Sequence, residues 1–133
     1  MRALLLRSRR IAVLGIKTEA QTSQPAFYVP QYMQQAGYTI VPVPVYYPEV
    51  RTILDQAVYR RLAEIPTHVD MVNVFRRPQD LSAHTDDILA AKPEVVWFQL
   101  GIRNDEVAAR LRKAGITVIQ DRCLLVEHRR LLG

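Results

Sequence analysis

The segment IAVLGIK, residues 11–17, gives the strongest indication of the fold of this chain. Its first four residues are apolar and do not alternate with polar ones, which is typical of a strand buried on both faces in a parallel sheet covered by helices. Gly15 then lets the backbone turn sharply and lets a ligand approach it closely. A helix after such a turn directs the N–H groups of its first turn towards the carboxyl end of the strand, where phosphate often binds. We therefore expect a central strand with an anion site at its carboxyl end.

The composition is typical of a globular domain with a basic balance. A chain of 133 residues can bury a core of its own, and we expect residues 1–133 to form a single domain. The net charge of +5 suits a phosphorylated partner without identifying one. Cys123 is the only cysteine, which excludes an internal disulfide and fits a reducing cytoplasm.

The N-terminal residues and the apolar runs bear on membranes and targeting. No apolar run approaches the roughly 20 residues that span a bilayer, so we expect no membrane partner. Residues 1–10, MRALLLRSRR, are interpreted as a short polar and apolar lead-in, with a targeting peptide as the alternative.

Apolar runs alternate with helical patterns along the rest of the chain. Strands are predicted at residues 11–14, 38–43, 69–75, 94–100 and 116–119. Helices are predicted from near Phe27 to Gly37 with Pro30 in the first turn, from Pro78 to before Pro93, after an N-cap at Asn104, and over 124–132. Residues 54–65 are predicted to be a short irregular connection with one turn of helix. The alternation implies a three-layer Rossmann-like α/β fold, with a five-stranded parallel sheet, helices on both faces and ligands at the carboxyl ends of the strands.

The usual nucleotide motifs are missing. A dinucleotide-binding loop has the pattern G-x-G-x-x-G, whereas the loop after residue 14 contains only Gly15. The acidic residue expected at the end of the second strand is also missing, because the first carboxylate there is Glu49. The chain has no glycine-rich G-K-[ST] run either, so NAD, NADP and P-loop binding are all disfavoured.

A set of segments spread over the chain resembles the stand-alone CoA-binding domain family. They are VLG (13–15), AGYTIVPV (36–43), VDMVNVFRRP (69–78), VVWFQLGIRND (95–105) and QDRC (120–123). The resemblance covers residues 11–131. The layout is also similar, more distantly, to the CoA-binding domain of the succinyl-CoA synthetase alpha subunit and of acyl-CoA synthetases.

This resemblance implies coenzyme A as the ligand and places its contacts in the loops at the carboxyl ends of the strands. The implied contact residues are Gly15, Ile16, Lys17, Thr18, Pro44, Val45, Tyr46, Val74, Phe75, Arg76, Arg77, Gln99, Gly101 and Ile102. Many members of the family have an Asn-Pro-Lys run where this chain has Pro44, Val45 and Tyr46, so Lys17 or Arg76 has to meet the phosphate instead. Arginine suits that task because its planar fork can donate two hydrogen bonds at once.

Residues that could perform catalysis are poorly arranged. Cys123 and His128 are five positions apart on a predicted helix, which separates them by roughly 140° around its axis. We expect Cys123 to be buried and structural, and Asp70 and Asp121 to anchor backbone N–H groups. The three histidines show no metal-ligand spacing. The arginines near the C-terminus are interpreted as a solvated helix face rather than a nucleic-acid surface.

The leading interpretation is a cytoplasmic CoA-binding module that is not an enzyme. Its partner is CoA or an acyl-CoA, without nucleic acid, and a second copy of the chain or a synthetase is a candidate protein partner. The alternatives are a nucleotide-dependent enzyme, a subunit of an acyl-CoA ligase, and a protein–protein adaptor whose site is empty.

Overall fold

The computed structural model describes residues 1–133, which form helices α1 to α5 and strands β1 to β7. The elements in chain order are α1 Arg2–Arg7, β1 Arg10–Leu14, α2 Pro25–Gln35, β2 Thr39–Val43, β3 Thr52–Ile53, β4 Gln56–Ala57, β5 Met71–Val74, α3 Thr85–Ala91, β6 Val95–Phe98, α4 Asp105–Lys113, β7 Thr117–Ile119 and α5 Leu124–Leu131. Short 3-10 helices cover Glu19–Gln21, Leu62–Glu64 and Pro78–His84.

The main sheet has five parallel strands in the order β2-β1-β5-β6-β7. The predicted five-stranded parallel α/β fold is therefore confirmed. Strand β1 pairs with β2 on one side and with β5 on the other, so Ala12 faces Val41 in one ladder and Val72 in the other. The order in which the chain adds strands to the sheet reverses between β1 and β5. Open α/β sheets bind ligands at the carboxyl ends of the strands beside such a reversal.

Helices cover both faces of the sheet because each central strand directs alternate residues to opposite sides. Ala12 and Leu14 join one apolar cluster, which includes Ile88 from α3 and Leu111 from α4. Ile11 and Val13 join the other cluster, which contains Phe27 of α2 and Leu124 of α5 along with Leu5 of α1. No helix of the chain combines the length and the apolar character needed to cross a bilayer.

Helix α2 begins earlier than expected. It starts at Pro25, so Pro30 lies in its interior and not in its first turn. Proline has no N–H, and at position 30 it leaves the Ala26 carbonyl without its helical donor. That carbonyl accepts instead from the Lys17 N–H at 3.1 Å, which ties the loop after β1 to the start of α2.

The N-terminal residues, which were interpreted as a short polar and apolar lead-in, form helix α1. Leu5 is buried and packs in the apolar cluster that also contains α5, while the Tyr38 hydroxyl donates to the Leu5 carbonyl. This helix was not predicted from the sequence because six residues with one buried side chain are too few to show a helical period.

Residues 52–57 form a hairpin that was not predicted, although the expected helical turn is present at Leu62–Glu64. Leu54 and Asp55 occupy the turn with φ of 54° and 62°, a conformation usually taken by Asn-Gly or Gly. The turn is held from outside, since the Leu54 N–H donates to Glu19 Oε2 and its carbonyl accepts from Gln34, each at 2.8 Å.

Candidate ligand-binding site

A cleft of about 370 Å³ lies at the carboxyl edge of the sheet, beside the point where the strand order reverses. Loops after β1, β5 and β6 and the first turn of α2 form its walls. The lining residues are Lys17, Gln24, Pro25, Ala26, Phe75, Arg76, Arg77, Pro78, Gln99, Leu100, Gly101 and Ile102.

Gly15 joins two of these loops. Its φ is +87°, and a Cβ at this position would lie 2.3 Å from the Phe75 carbonyl oxygen. The Gly15 N–H donates to Val43 O, and the Phe75 N–H donates to Leu14 O, each at 2.9 Å. Glycine is therefore required for the expected sharp turn and also for the contact between the β1 and β5 loops, which was not predicted from the sequence.

Lys17 is the basic residue that the β1 loop contributes to the cleft. Its backbone is fixed by the hydrogen bond to Ala26, while its side chain is half-buried and makes no ion pair within the protein. The next residue, Thr18, is buried and uses its hydroxyl to accept from the Ala20 N–H at 3.2 Å and to donate to Gln21 at 2.7 Å. The Lys17 ammonium is thus available to a ligand, whereas the Thr18 side chain stabilises the loop through its own hydrogen bonds.

Arg76 and Arg77 follow β5 and are the other two basic residues that line the cleft. The Arg76 Nε donates to His84 Nε2 at 3.2 Å, and its guanidinium carbon lies 5.5 Å from the centre of the Tyr46 ring. Burial, followed by the proximity of Arg76, lowers the pKa of His84, which suits a neutral imidazole acting as the acceptor. Arg77 Nε donates to Asp80 Oδ2 at 2.8 Å, and this hydrogen bond lowers the pKa of the Asp80 carboxyl.

The residues that follow β6 complete the cleft, and neighbouring residues hold them in place through hydrogen bonds. The buried Gln99 accepts through Oε1 from the Leu124 N–H at 3.3 Å and from Asn73 at 3.4 Å. The Gly101 N–H donates to Asp121 Oδ1 at 2.6 Å. This contact confirms the expected anchoring role of Asp121. Asp70 likewise anchors the N–H groups of Arg9 and Arg10, at 2.8 and 2.9 Å.

Half of the expected contact residues line the cleft, namely Lys17, Phe75, Arg76, Arg77, Gln99, Gly101 and Ile102. The other expected residues lie behind or beside it. Ile16, Pro44 and Val74 are buried, and Val45 packs against an apolar cluster. Tyr46 is exposed at the end of β2 and contacts Arg76, but it is not part of the cleft wall.

Five residues that line the cleft were not predicted from the sequence. Gln24, Pro25 and Ala26 belong to the first turn of α2 and its cap, while Pro78 and Leu100 continue loops already considered. Pro25 carried a usable signal, because proline is favoured at the first position of a helix. Had α2 been started there, the geometry of a strand followed by a helix would have placed its first turn at the cleft.

Cys123 is half-buried, so the expectation that it is buried is wrong. It precedes α5 and borders a second depression of about 400 Å³, which shares Leu100 with the cleft. The apolar residues Leu124 and Leu125 that follow it are in α5 and face the core. Cys123 is not buried with them because it lies outside the helix, at its N-cap. His128 Nδ1 is engaged with the Tyr32 hydroxyl at 2.9 Å and is not a partner of the thiol.

Comparisons with known proteins agree with this arrangement. A sequence model described as a CoA binding domain matches residues 9–129. The chain is 36% identical over 128 residues to the uncharacterized protein YneT of Bacillus subtilis (strain 168), covering 96% of this chain and 91% of that one. The solved structure of cell-free ID.343 from Thermus thermophilus is 40% identical, covers 98% of this chain and 96% of its own, and superposes with a TM-score of 0.91.

A more distant solved structure shares the fold alone. It is the dinucleotide forming acetyl-coenzyme A synthetase 1 of Ca. Korarchaeum cryptofilum, which is 15% identical with a TM-score of 0.70. The match covers 89% of this chain and 27% of the synthetase chain.

Proposed function

This chain belongs to the CoA binding domain family, and on that basis we propose that the cleft at the carboxyl edge of the sheet binds coenzyme A or an acyl-CoA. The protein binds this ligand without catalysing a reaction. It acts in a reducing compartment, which suits its single thiol. It covers residues 1–133 as one binding domain.

The observation that carries this proposal is the presence of cationic side chains around an otherwise uncharged cleft at the reversal point of the sheet. The Lys17 ammonium has no partner in the protein, and the Arg77 side chain is largely exposed. Both suit the phosphate groups of CoA, since charge-assisted hydrogen bonds to phosphate are among the strongest that proteins make. Ala26, Phe75 and Ile102 offer apolar surface to the methylene groups of the pantetheine arm.

The side chains near the cleft favour binding over catalysis. An enzyme that cleaves or forms an acyl thioester needs a nucleophile and a base within hydrogen-bonding reach of each other. His84 is already the acceptor of Arg76, His128 is bonded to Tyr32, and neither imidazole is hydrogen-bonded to the Cys123 thiol. We infer that Cys123 does not act as a nucleophile.

Calorimetric titration with CoA at low salt tests the site. We expect Lys17→Ala to weaken CoA binding about tenfold, which corresponds to about 1.4 kcal/mol. Lys113→Ala is the matched control, because Lys113 ends α4 at the opposite edge of the sheet, and it should change the affinity less than about twofold. Absence of CoA binding, or equal effects of the two variants, would contradict the site.

The identity of the ligand and the absence of chemistry need separate measurements. Mass spectrometry of the ligand released from gently purified protein should detect CoA, and finding NAD without CoA would reverse the assignment. The protein should not hydrolyse acyl-CoA; hydrolysis that disappears in Cys123→Ser would make it an enzyme.

A further inference from the structure

The carboxylate of Asp80 lies at the rim of the cleft between two guanidinium groups. Its Oδ2 atom is 2.8 Å from Arg77 Nε and 3.6 Å from Arg76 Nη2. Asp80 is in the first turn of the 3-10 helix Pro78–His84, and its N–H donates to the Arg77 carbonyl at 2.9 Å. This turn fixes the carboxylate beside the two arginines, because both partners belong to the same short segment.

The two arginines differ in what they can offer to a ligand. The Arg76 side chain is only 14% exposed and is held by Tyr46 and His84 as well as by Asp80. The Arg77 side chain is 70% exposed, and Asp80 is its one partner. Arg76 is therefore a positioning residue that supports the wall, and Arg77 is the arginine that is free to turn towards a ligand.

A phosphate that pairs with Arg77 through Nε has to compete with Asp80, which already accepts from that atom, whereas the two terminal nitrogens of the guanidinium have no partner. The guanidinium fork can pair with a carboxylate or with a phosphate, and the two anions repel each other when they are close. Replacing Asp80 is feasible, because its ion pair with Arg77 reaches solvent through the exposed Arg77 side chain, and such pairs contribute little stability.

We propose that Asp80 lowers the affinity of the cleft for phosphate: it is an internal counter-ion that a phosphate must displace from Arg77 Nε in order to pair with that side of the guanidinium. This inference rests on the proposed function and extends it.

Titration of CoA into wild type, Asp80→Asn and Glu94→Gln tests this inference. Glu94→Gln is the matched control, since it removes one negative charge from an exposed ion pair with Arg7 at the other edge of the sheet. We expect Asp80→Asn to bind CoA three- to tenfold more tightly than wild type at low salt, with the gain shrinking as salt rises. The control should stay within about twofold of wild type.

A double-mutant cycle separates this role from general charge. In the Arg77→Ala background, Asp80→Asn should change the affinity less than about twofold, because the competition has been removed. Unchanged or weaker binding by Asp80→Asn, or an equal gain in Glu94→Gln, would overturn the role of Asp80 and leave the proposed function standing. Asp80→Ser provides the same comparison if Asp80→Asn is unfolded by circular dichroism. If neither the wild type nor any variant binds CoA, the proposed function is wrong, and this inference is wrong with it.

Discussion

At the scale of single residues, the cleft depends on one position where a side chain does not fit. Gly15 has a positive φ and lies so close to Phe75 that a Cβ would overlap the Phe75 carbonyl oxygen. Gly115 has the same φ of +87° but faces open space. The pair therefore separates the cost of the backbone conformation from the cost of the steric overlap.

We expect Gly115→Ala to lower the free energy of unfolding by about 1 kcal/mol, which is the cost of a left-handed conformation for an L-residue. Gly15→Ala should lower it by about 3 kcal/mol, because the overlap with Phe75 forces the two loops apart as well. Urea unfolding of the two variants measures this difference. Equal losses would show that the β1 and β5 loops separate without cost.

At the scale of elements, helix α1 shows that a short segment can be held by contacts its own sequence does not reveal. Leu5 is 1% exposed and belongs to the cluster beneath α5, whereas Leu6 is 50% exposed. Helices of this length are marginal by themselves in water, so packing and the hydrogen bond from Tyr38 keep α1 in place.

We expect Leu5→Ala to destabilise the protein by about 2–5 kcal/mol, because it removes a fully buried leucine from the core. Leu6→Ala should change the free energy of unfolding by less than about 0.5 kcal/mol, as exposed substitutions do. Chemical denaturation of both variants provides the measurement. A small effect of Leu5→Ala would mean that α1 does not contribute to the fold in solution.

At the scale of the whole molecule, two buried or half-buried histidines on opposite sides of the sheet make stability depend on pH. Burial lowers the pKa of His128, which lies beneath α1 and α2, and burial together with Arg76 lowers the pKa of His84 beside the cleft. In the unfolded chain both histidines titrate near their usual value of about 6.5. Below that pH the unfolded chain binds more protons than the folded protein, so acid favours unfolding.

The free energy of unfolding should therefore be highest above about pH 7 and should fall as the pH decreases from about 7 to 5.5, before the carboxylates protonate. The double variant His84→Gln/His128→Gln should show a flatter profile over the same range. Urea unfolding at a series of pH values measures both profiles. A wild-type protein that becomes more stable on acidification would contradict the direction of these pKa changes.

The layered architecture and the resemblance to the family could both be predicted before the structure was known. The unbroken apolar run before Gly15 and the four runs that follow it alternate with helical patterns, and this alternation predicts parallel strands buried between helices. The position of the cleft also followed, since the carboxyl ends of parallel strands meet at one edge. Lys17, Arg76 and Arg77 were placed there from sequence alone, and the structure brings them to the same cleft.

The contacts of the side chains at that edge became known only from the folded structure. Asp80 was not considered from sequence because the pairing of a carboxylate with Arg77 depends on the 3-10 turn after Pro78. Tyr46 and Pro44 were placed at the ligand by resemblance, but Pro44 is buried and Tyr46 supports Arg76. The exposure of Cys123 depends on the point where α5 begins, and the role of Gly15 depends on a neighbouring loop that is 60 residues away in sequence. A sequence pattern reports the faces of one element, whereas these features arise from contacts between loops that meet only after the sheet has formed.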